Sequence, residues 1–408
     1  MRILIILCIL LTQIVAAQQH QVCSSCPSTS VKEAVAKAQP HDTIYIRKGT
    51  YKEYDIRIDK PLTVIGEELP VIDSDFKGYA FQLLSDSITL KGLKIINVGR
   101  SYTKDYSAVY VSKSRNITLE NNVLENIFFG FLIEKSHDLI IRNNHISSKA
   151  TDEAAAGNGI HLWHSSNAHI ANNELHGLRD GLYFEFVSHS KIENNNSYNN
   201  VRYGIHFMFS NHNEYNNNVF RANNAGVAVM FSKFINMTGN SFLDNWGTAS
   251  YGLLLKEIYD ADIINNTFRN NTIAINLEGS TRMNYIGNTF ENNGWAVKVA
   301  GACYKNVFRA NNFKNNSFDM AYNSNLNDNE FDGNYWSDYT GYDLDRDGIG
   351  DVPYRPVKLF SYVVNKTPET IVLLRSLFVD IINFSERVTP VFTPENLLDH
   401  KPLMQPTK

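Results

Sequence analysis

The sequence predicts an all-β fold, a right-handed parallel β-helix. Three features support this prediction: an excess of asparagine, a long-period repeat, and apolar residues that alternate with other types. Of the 408 residues, 48 are asparagine, and 44 of these lie between Asn116 and Asn334. Asparagine accepts the left-handed backbone conformation of tight bends, and its amide can hydrogen-bond to the amide one coil away. Stacked amides of this kind also stabilise cross-β structures.

Asn-Asn or Gly-Asn pairs divide the middle of the chain into repeats. Successive pairs are 22 to 29 residues apart, and the longer intervals hold polar or small insertions such as the segment 147–158. A regular period with insertions at one place per repeat is typical of a solenoid. About ten coils of about 22 residues are predicted, marked by the second member of each pair: Asn122, Asn144, Asn173, Asn195, Asn217, Asn240, Asn266, Asn288, Asn312 and Asn334.

Apolar residues alternate within the repeats, as in Ile160-His161-Leu162 and Ile205-His206-Phe207. A period of two predicts strands whose Ile, Leu and Phe side chains point inward. No repeat carries a 3.6-residue stripe, which excludes helical solenoids. The coils also lack a six-residue internal period, so the left-handed hexapeptide type fits poorly and the right-handed form is preferred.

Both ends of the β-helix are expected to carry caps, because an open end is an unpaired sheet edge. At the front, Ser30-x-x-Glu33 predicts the capping box of a short amphipathic helix. At the back, Thr367-Pro368 predicts a helix that ends near Ser385, followed by an extended tail. The predicted parts are a signal peptide (1–17), an N-terminal arm and cap (18–60), the β-helix (61–336), an Asp- and Gly-rich capping loop (337–366) and a C-terminal docking segment (367–408).

The first residues have the pattern of a secretory signal. Arg2 precedes an apolar run, and Val15-Ala16-Ala17 provides small residues for cleavage before Gln18. The run is too short to span a bilayer, and no other stretch approaches ~20 apolar residues. We therefore expect an exported, periplasmic protein that does not span the membrane. A net charge of −4, from 38 basic and 42 acidic residues, argues against a nucleic-acid partner.

Two outward columns follow when the coils are aligned on the glycine before each strand. The first contains His161, Tyr183 and His206, and the second contains Trp163, Glu185, Met208 and Met230. Imidazole and thioether groups suit copper, and thioethers favour the cuprous ion. Aromatic and carboxylate groups equally suit a protein partner or sugar rings. In the structural alternative, inserted loops simply cover this face. The two histidines also lie two coils, ~10 Å, apart, which is too far to share one ion without movement.

Cysteine usage leaves one question open. Cys23-Ser-Ser-Cys26 follows the predicted cleavage point, and such a pair can form a disulfide or clamp copper. No thioredoxin-like βαβ pattern surrounds it, so redox catalysis is not expected. Cys303 lies within a coil and is expected to be buried as a small apolar residue.

An Asp-rich loop resembles the first half of an EF-hand. Loop positions 1, 3, 5 and 9 carry carboxylates, which are those of Asp343, Asp345, Asp347 and Asp351. Position 7, which supplies a backbone carbonyl in an EF-hand, is Ile349. The bidentate Glu of position 12 is missing, since Tyr354 stands there. Calcium binding and a metal-free capping turn are both consistent with this loop.

Enzyme signatures are weak. Many parallel β-helices cleave or epimerise acidic polysaccharides with clustered acids and bases. Here Asp180 and Glu185 are the carboxylates that lie close together on the outward face, and Arg179 and Arg202 are nearby. A polysaccharide lyase or epimerase, or a carbohydrate-binding module, remains the alternative to a non-enzymatic role.

Three stretches together resemble NosD, the periplasmic maturation protein of nitrous oxide reductase. They are Pro40-His-Asp-Thr-Ile-Tyr-Ile with Gly49-Thr-Tyr51; Gly333-Asn-Tyr-Trp-Ser-Asp-Tyr339 leading into the segment 343–354; and a tail from Leu373-Leu-Arg375-Ser through Glu386-Arg387-Val388 to Lys401-Pro-Leu-Met404. The first two occur broadly among β-helix proteins, and the tail is the more specific. The resemblance spans nearly all of the chain that follows the signal.

The resemblance implies an assembly factor rather than an enzyme. It would serve the copper–sulfur centre of nitrous oxide reductase, together with a membrane ABC transporter and a copper chaperone lipoprotein. Copper ions are implied by the resemblance, whereas the histidine and methionine columns are inferred from this sequence. The residues expected to dock on the transporter are Leu373, Leu374, Arg375, Phe378, Glu386, Arg387 and Leu403.

Overall fold

The structure is a computed structural model that describes residues 17–101, 103–323, 328–374, 376–388 and 397–407. Residues 1–16 of the predicted signal peptide lie outside this part of the chain. The described residues form a right-handed parallel β-helix, as predicted, and its strands make up three sheets. Each coil contributes one strand to sheet 1, then one to sheet 2, then one to sheet 3.

Sheet 1 contains 14 described strands. In stacking order they are Gln19–Val22, Thr43–Ile46, Thr63–Gly66, Thr89–Lys91, Arg115–Glu120, His137–Arg142, Ser166–Ala171, Lys191–Glu193, Asn213–Asn216, Ile235–Thr238, Tyr259–Ile264, Thr281–Ile286, Val307–Arg309 and Glu330–Asp332.

Sheet 2 contains 13 described strands. They are Thr50–Lys52, Val71–Asp73, Lys94–Ile96, Val123–Glu125, His145–Ser147, Glu174–His176, Asn196–Tyr198, Val219–Arg221, Ser241–Leu243, Thr267–Arg269, Thr289–Glu291, Asn312–Lys314 and Tyr335–Trp336.

Sheet 3 contains 12 described strands and carries the candidate site on its outer face. They are Ile56–Ile58, Phe81–Leu83, Ser107–Ser112, Phe129–Glu134, Ile160–Trp163, Asp180–Glu185, Tyr203–Met208, Ala225–Met230, Tyr251–Lys256, Ile273–Glu278, Trp295–Ala300 and Phe318–Asn323.

The number of coils is larger than the ten predicted, because the first coils turn without asparagine pairs. Gly92, with φ of 70°, takes the left-handed position there that Asn121, with φ of 55°, takes in the next coil. With strands ~4.8 Å apart, the stack is on the order of 60 Å long. The interior is filled by alternate strand residues, including a stack of aromatic rings from Phe220 to Trp336.

Asparagine pairs build the corner between sheets 1 and 2. The first member of each pair takes the left-handed conformation, as Asn143 does with φ of 56°. The second is buried and joins a ladder: Nδ2 of Asn144 donates to Oδ1 of Asn173 at 2.9 Å, and the backbone N–H donates to the same oxygen at 3.0 Å. The predicted amide ladder is therefore confirmed. Two of its rungs are Asn218 and Asn311 rather than the predicted Asn217 and Asn312.

The N-terminal cap has the predicted helix and one strand that was not predicted. Helix α1 (Val31–Lys37) begins after Ser30, whose Oγ accepts the N–H of Glu33 at 3.3 Å. Glu33 does not complete the capping box, because its carboxylate pairs with Lys37 at 2.6 Å. Strand Gln19–Val22 precedes the helix and pairs with Thr43–Ile46. Strands of the β-helix therefore already lie within the segment 18–60, which was predicted as arm and cap.

Three helices lie near the C-terminus where one was predicted, and the first of them falls within the predicted capping loop. They are α2 (Leu359–Lys366), a 3₁₀ helix (Pro368–Leu373) and α3 (Leu377–Val388). Helix α2 covers the end of sheet 3, where Phe360 packs near Phe318. Among the described residues, no helix is long and apolar enough to cross a membrane. The described part of the tail, 397–407, pairs with the last coil through Asp399 and Leu403.

Candidate functional site

The outer face of sheet 3 aligns the two predicted columns. His161, Tyr183 and His206 are partners in the parallel register, and so are Trp163, Glu185, Met208 and Met230. Because neighbouring strands lie ~4.8 Å apart, adjacent members of each column can contact one another. The segment 148–158, inserted before strand Ile160–Trp163, lies beside the first column.

The first column is a stack of rings that is largely shielded from solvent. The ring centre of Tyr183 lies 4.6 Å from that of His161 and 5.1 Å from that of His206. The Tyr183 ring therefore stands between the two histidines, and they do not form a joint metal site. Burial lowers the pKa of both imidazoles to about 4, with the positive charge of Arg179 contributing in each case. Both rings are consequently neutral at ordinary pH.

His206 is the unusual member of the column. It is 7% exposed, and both of its ring nitrogens are buried without a hydrogen-bond partner among the described residues. Leaving a buried polar group unpaired typically costs about 1–3 kcal/mol. A neutral imidazole with two open nitrogens is also a suitable ligand for copper in either oxidation state.

An ion pair lies beside this stack. The guanidinium of Arg202 donates to both oxygens of Asp180, at 2.9 and 2.5 Å, and Asp180 is fully buried. Glu153, from the inserted segment, lies 3.9 Å from Arg202. Arg179 donates to the side-chain oxygen of Asn158 at 3.1 Å. Asp180 is the first residue of a strand and is engaged by Arg202, so it is not a free base for sugar chemistry.

The second column remains partly exposed. Met208 and Met230 are paired on neighbouring strands and both are half-buried, with Glu185 on the strand before them. His206 and Met208 lie two residues apart and so project from the same side of the strand. Two thioethers and one imidazole are thus grouped on two adjacent coils. Ligands of this kind select the cuprous ion over harder cations.

Two aromatic ladders follow this column at the corner of the β-helix, and the sequence analysis missed them. One contains His164, Phe186, Phe209 and Phe231, and the other contains His189, His212 and Phe234. Their rings are stacked about 5 Å apart, and the four phenylalanines are 39–44% exposed. We call these residues the aromatic corner. The recurring triplets Met208-Phe209-Ser210 and Met230-Phe231-Ser232 were the sequence signal for it.

The other candidate sites are placed elsewhere. Cys23 and Cys26 are joined in a disulfide in the N-terminal arm, which is one of the two alternatives left open by the sequence. Cys303 is buried, as expected, and its Sγ accepts the N–H of Ser280 at 3.3 Å. It takes the place of the serines that occupy this corner in other coils.

The Asp-rich loop brings part of its predicted set together. Asp343, Asp345 and Asp347 each place a carboxylate oxygen within 4.8 Å of the others. Asp347 raises the pKa of Asp345 by charge repulsion. Asp351 is engaged differently, since it accepts the N–H of Leu344 at 2.7 Å. Asp351 is not part of this carboxylate cluster, and calcium binding stays a prediction.

The C-terminal docking residues differ in exposure. Leu373 and Phe378 are 38% and 56% exposed, Leu374 is half-buried and Glu386 is buried. Leu403 bridges to Tyr335 on the last coil and to Ile349 in the Asp-rich loop. Arg375 and the side chain of Arg387 lie outside the described residues. The sequence analysis missed further exposed apolar residues of this segment: Ile371, Val372, Leu377, Ile381 and Phe384.

The fold and this outer face define a parallel β-helix protein that bears histidine, methionine and exposed aromatic groups on one side. Residues 143–341 match the family model described as NosD, periplasmic copper-binding protein. The chain is 28% identical over 400 residues to the probable ABC transporter binding protein NosD of Pseudomonas aeruginosa, covering 91% of this chain and 92% of that protein. It is 27% identical over 376 residues to the protein of the same name from Stutzerimonas stutzeri, covering 85% and 84%. The resemblance to NosD is therefore confirmed.

A solved structure shows the same fold. The family 28 exopolygalacturonase of Yersinia enterocolitica superposes with a TM-score of 0.51 and 11% identity, covering 78% of each chain. At this identity the likeness is evidence for the fold alone. It does not carry the activity of that enzyme over to this chain.

Proposed function

We propose that this chain is a periplasmic accessory protein for the copper–sulfur centre of nitrous oxide reductase. It acts with a membrane ABC transporter and a copper chaperone, and it is not itself an enzyme. Two relatives that align over more than four-fifths of the chain are named as probable ABC transporter binding proteins. The matching family model is described as periplasmic and copper-binding.

The apolar surface of the C-terminal helices is the observation that carries this proposal. Val372, Leu377 and Phe384 are 84%, 74% and 66% exposed. Leu377, Ile381 and Phe384 recur at the spacing of one helix face. On the opposite side of α3, Val379 is 3% exposed and packs against α2. An exposed face of neighbouring apolar side chains is typical of a protein interaction site, and the transporter is its partner in this proposal.

Copper is the cargo in this proposal, and it is received on the outer face of sheet 3. His206, Met208 and Met230 would hold the cuprous ion, because thioether and imidazole ligands match its softness. The open nitrogens of His206 support this assignment. The aromatic corner begins next to both methionines and offers an apolar landing surface for the protein that delivers or takes up the ion.

A non-enzymatic role is consistent with the acids and bases of this face. Asp180 is fully buried and paired with Arg202, and Tyr183 separates the two histidines. We therefore expect no turnover of uronate polymers. Depolymerisation or epimerisation of such a polymer by the purified chain would contradict this part of the proposal.

The proposal is tested in cells that produce nitrous oxide reductase but lack this chain. The exported reductase is then expected to lack the absorption bands of its copper–sulfur centre. The parent chain should restore the bands, whereas the double variant Leu377→Glu with Ile381→Glu should not, because it places two charges on the proposed docking face. The apolar control Leu377→Met with Ile381→Leu should restore them. A reductase with a complete centre in cells without this chain would contradict the proposal.

A further inference from the structure

A second group of histidines lies on sheet 2, away from the columns described above. His145, Glu174 and Asn196 are partners in the register of three consecutive strands, and His176 and Tyr198 form the neighbouring column. The ring centres of His145 and His176 are 5.2 Å apart. All five residues are half-buried and line the outer face of the sheet.

Hydrogen bonds fix the orientation of one imidazole. The hydroxyl of Tyr198 donates to Oε1 of Glu174 at 2.6 Å, and Nδ1 of His145 lies 3.3 Å from Oε2 of the same carboxylate. Both oxygens of the Glu174 carboxylate are thus engaged, one by Tyr198 and the other by His145. When a carboxylate accepts a hydrogen bond from Nδ1–H, the Nε2 atom carries the free electron pair and can bind a metal ion. This carboxylate–histidine arrangement is the one that orients metal-ligating histidines in many proteins.

The second imidazole is placed at a distance that suits a shared ion. Metal–nitrogen bonds of ~2.0–2.1 Å in tetrahedral geometry put the centres of two bound imidazoles about 5 Å apart. The ring of His176 is also stacked on that of Tyr198, with centres 5.0 Å apart, which restricts its rotation.

We propose that His145 and His176 bind one divalent first-row transition ion, with Glu174 and Tyr198 orienting His145. Cu²⁺ is the tightest of these ions on such ligands, and Zn²⁺ is next to it in the affinity order. Water completes the coordination of the ion.

This site is distinct from the cuprous ligands of the proposed function. It lies on a different sheet, and it consists of imidazoles with a supporting carboxylate rather than thioethers. Imidazole ligands suit divalent copper and zinc, whereas the thioethers of Met208 and Met230 favour the cuprous ion. The two sites can therefore be tested with ions of different charge.

The test is Zn²⁺ titration of the folded chain by calorimetry, followed by electron paramagnetic resonance of one equivalent of Cu²⁺. Zn²⁺ has no redox chemistry, so the disulfide and the methionines are not disturbed. His145→Ala and His176→Ala are each expected to weaken Zn²⁺ binding at least tenfold. Glu174→Gln is expected to weaken Zn²⁺ binding about tenfold, because loss of a group that hydrogen-bonds to a ligating histidine typically lowers metal affinity 10–100-fold.

One control matches these variants. His169 is an exposed histidine whose Nε2 lies 2.7 Å from Glu193, but it has no neighbouring histidine ring among the described residues. His169→Ala should bind Zn²⁺ as the parent does.

Three results would overturn the assignment. One is parental Zn²⁺ affinity in the double variant His145→Ala with His176→Ala. Another is loss of Zn²⁺ binding in the control His169→Ala. The third, which needs no variant, is a Cu²⁺ spectrum of the parent with hyperfine coupling to fewer than two nitrogens.

Discussion

The carboxylate of Asp399 occupies the position above Asn334 that the next asparagine of the ladder would take. Its Oδ2 accepts Nδ2 of Asn334 at 3.0 Å and the backbone N–H of the same residue at 2.9 Å. It also accepts Nε1 of Trp336 at 3.0 Å. The chain thus returns after the C-terminal helices to close the last coil, which covers an otherwise unpaired sheet edge.

Asp399→Ala is expected to loosen the last coil. Asp399 is fully buried, and its removal leaves the donors of Asn334 and Trp336 without an acceptor. We expect the free energy needed to open this coil to fall by about 3 kcal/mol. This corresponds to about 100-fold faster amide exchange of residues 330–336. Asp399→Asn keeps an acceptor and should have a smaller effect. Hydrogen exchange measured by mass spectrometry checks both, and parental exchange in Asp399→Ala would refute the capping role.

Adjacent asparagines should differ sharply in their contribution to stability. Asn218 accepts from Asn195 and donates to Asn240 at 3.0 Å in each direction, so Asn218→Ala breaks the ladder on both sides. We expect a loss of about 3 kcal/mol. Asn217 supplies only the left-handed turn, with φ of 54°, so Asn217→Gly should change stability by less than about 1 kcal/mol. Urea unfolding of both variants compares them, and equal losses would contradict the ladder account.

The β-helix could be predicted from the sequence because each corner repeats one chemical device. The exact rung could not be predicted where three asparagines are consecutive, as in the segment 216–218, or where Asn311 and Asn312 follow an alanine. Only the backbone conformation decides which amide turns inward. The early coils were missed for a related reason, since glycines such as Gly92 make the same left-handed turn without an amide.

The site was predicted only in part. Strand alternation was enough to align Tyr183 with His206 and Met208 with Met230, because register follows from the coil period. The burial of His206 depends on side chains from neighbouring coils, and no local pattern reports it. The aromatic corner was missed because Phe186, Phe209 and Phe231 take left-handed turn positions outside the strand alternation. The exposed face of α3 depends on which side packs against α2.

Acid should destabilise the chain through its shielded histidines. Burial lowers the pKa of His206 to about 4, and Asp180, Arg202 and Arg179 are the charged groups that act on it. The unfolded chain binds this proton near pH 6.5. The stability that neutral His206 contributes is therefore fully present above pH 6.5 and is lost as the pH falls toward 4. At pH 5 the free energy of unfolding is expected to be lower by about 2 kcal/mol. His161 acts in the same direction.

His206→Leu isolates this effect. The free energy of unfolding of the variant, minus that of the parent, is expected to be about 2 kcal/mol larger at about pH 5 than at about pH 7.5. Asp319 acts in the opposite sense, because burial raises its pKa to about 6 and its contribution is lost as the pH rises from about 4 to 6. It is present in both chains and cancels in the comparison. A stability difference that does not change with pH would contradict this assignment.

Cuprous ion binding should depend on the second column. Met208→Leu with Met230→Leu keeps the apolar volume and removes both thioethers, so we expect Cu⁺ affinity to fall at least about tenfold. Met237→Leu is the matched control, since Met237 is 1% exposed in the core. Competition with a chromophoric Cu⁺ chelator measures the Cu⁺ affinity of the parent, the double variant and the control. Unchanged affinity in the double variant would remove the methionines from the site.

The most direct test of the central claim is co-purification of the ABC transporter with this chain from detergent-solubilised membranes. Truncation of residues 367–408 is unsuitable, because it also removes Asp399 and opens the last coil. The parent and the control Leu377→Met with Ile381→Leu are expected to bring down the transporter. Leu377→Glu with Ile381→Glu should lose it while keeping the parental thermal midpoint. Equal recovery with the charged variant would contradict docking through α3, and failure of the folded parent to recover any transporter would contradict the accessory role itself.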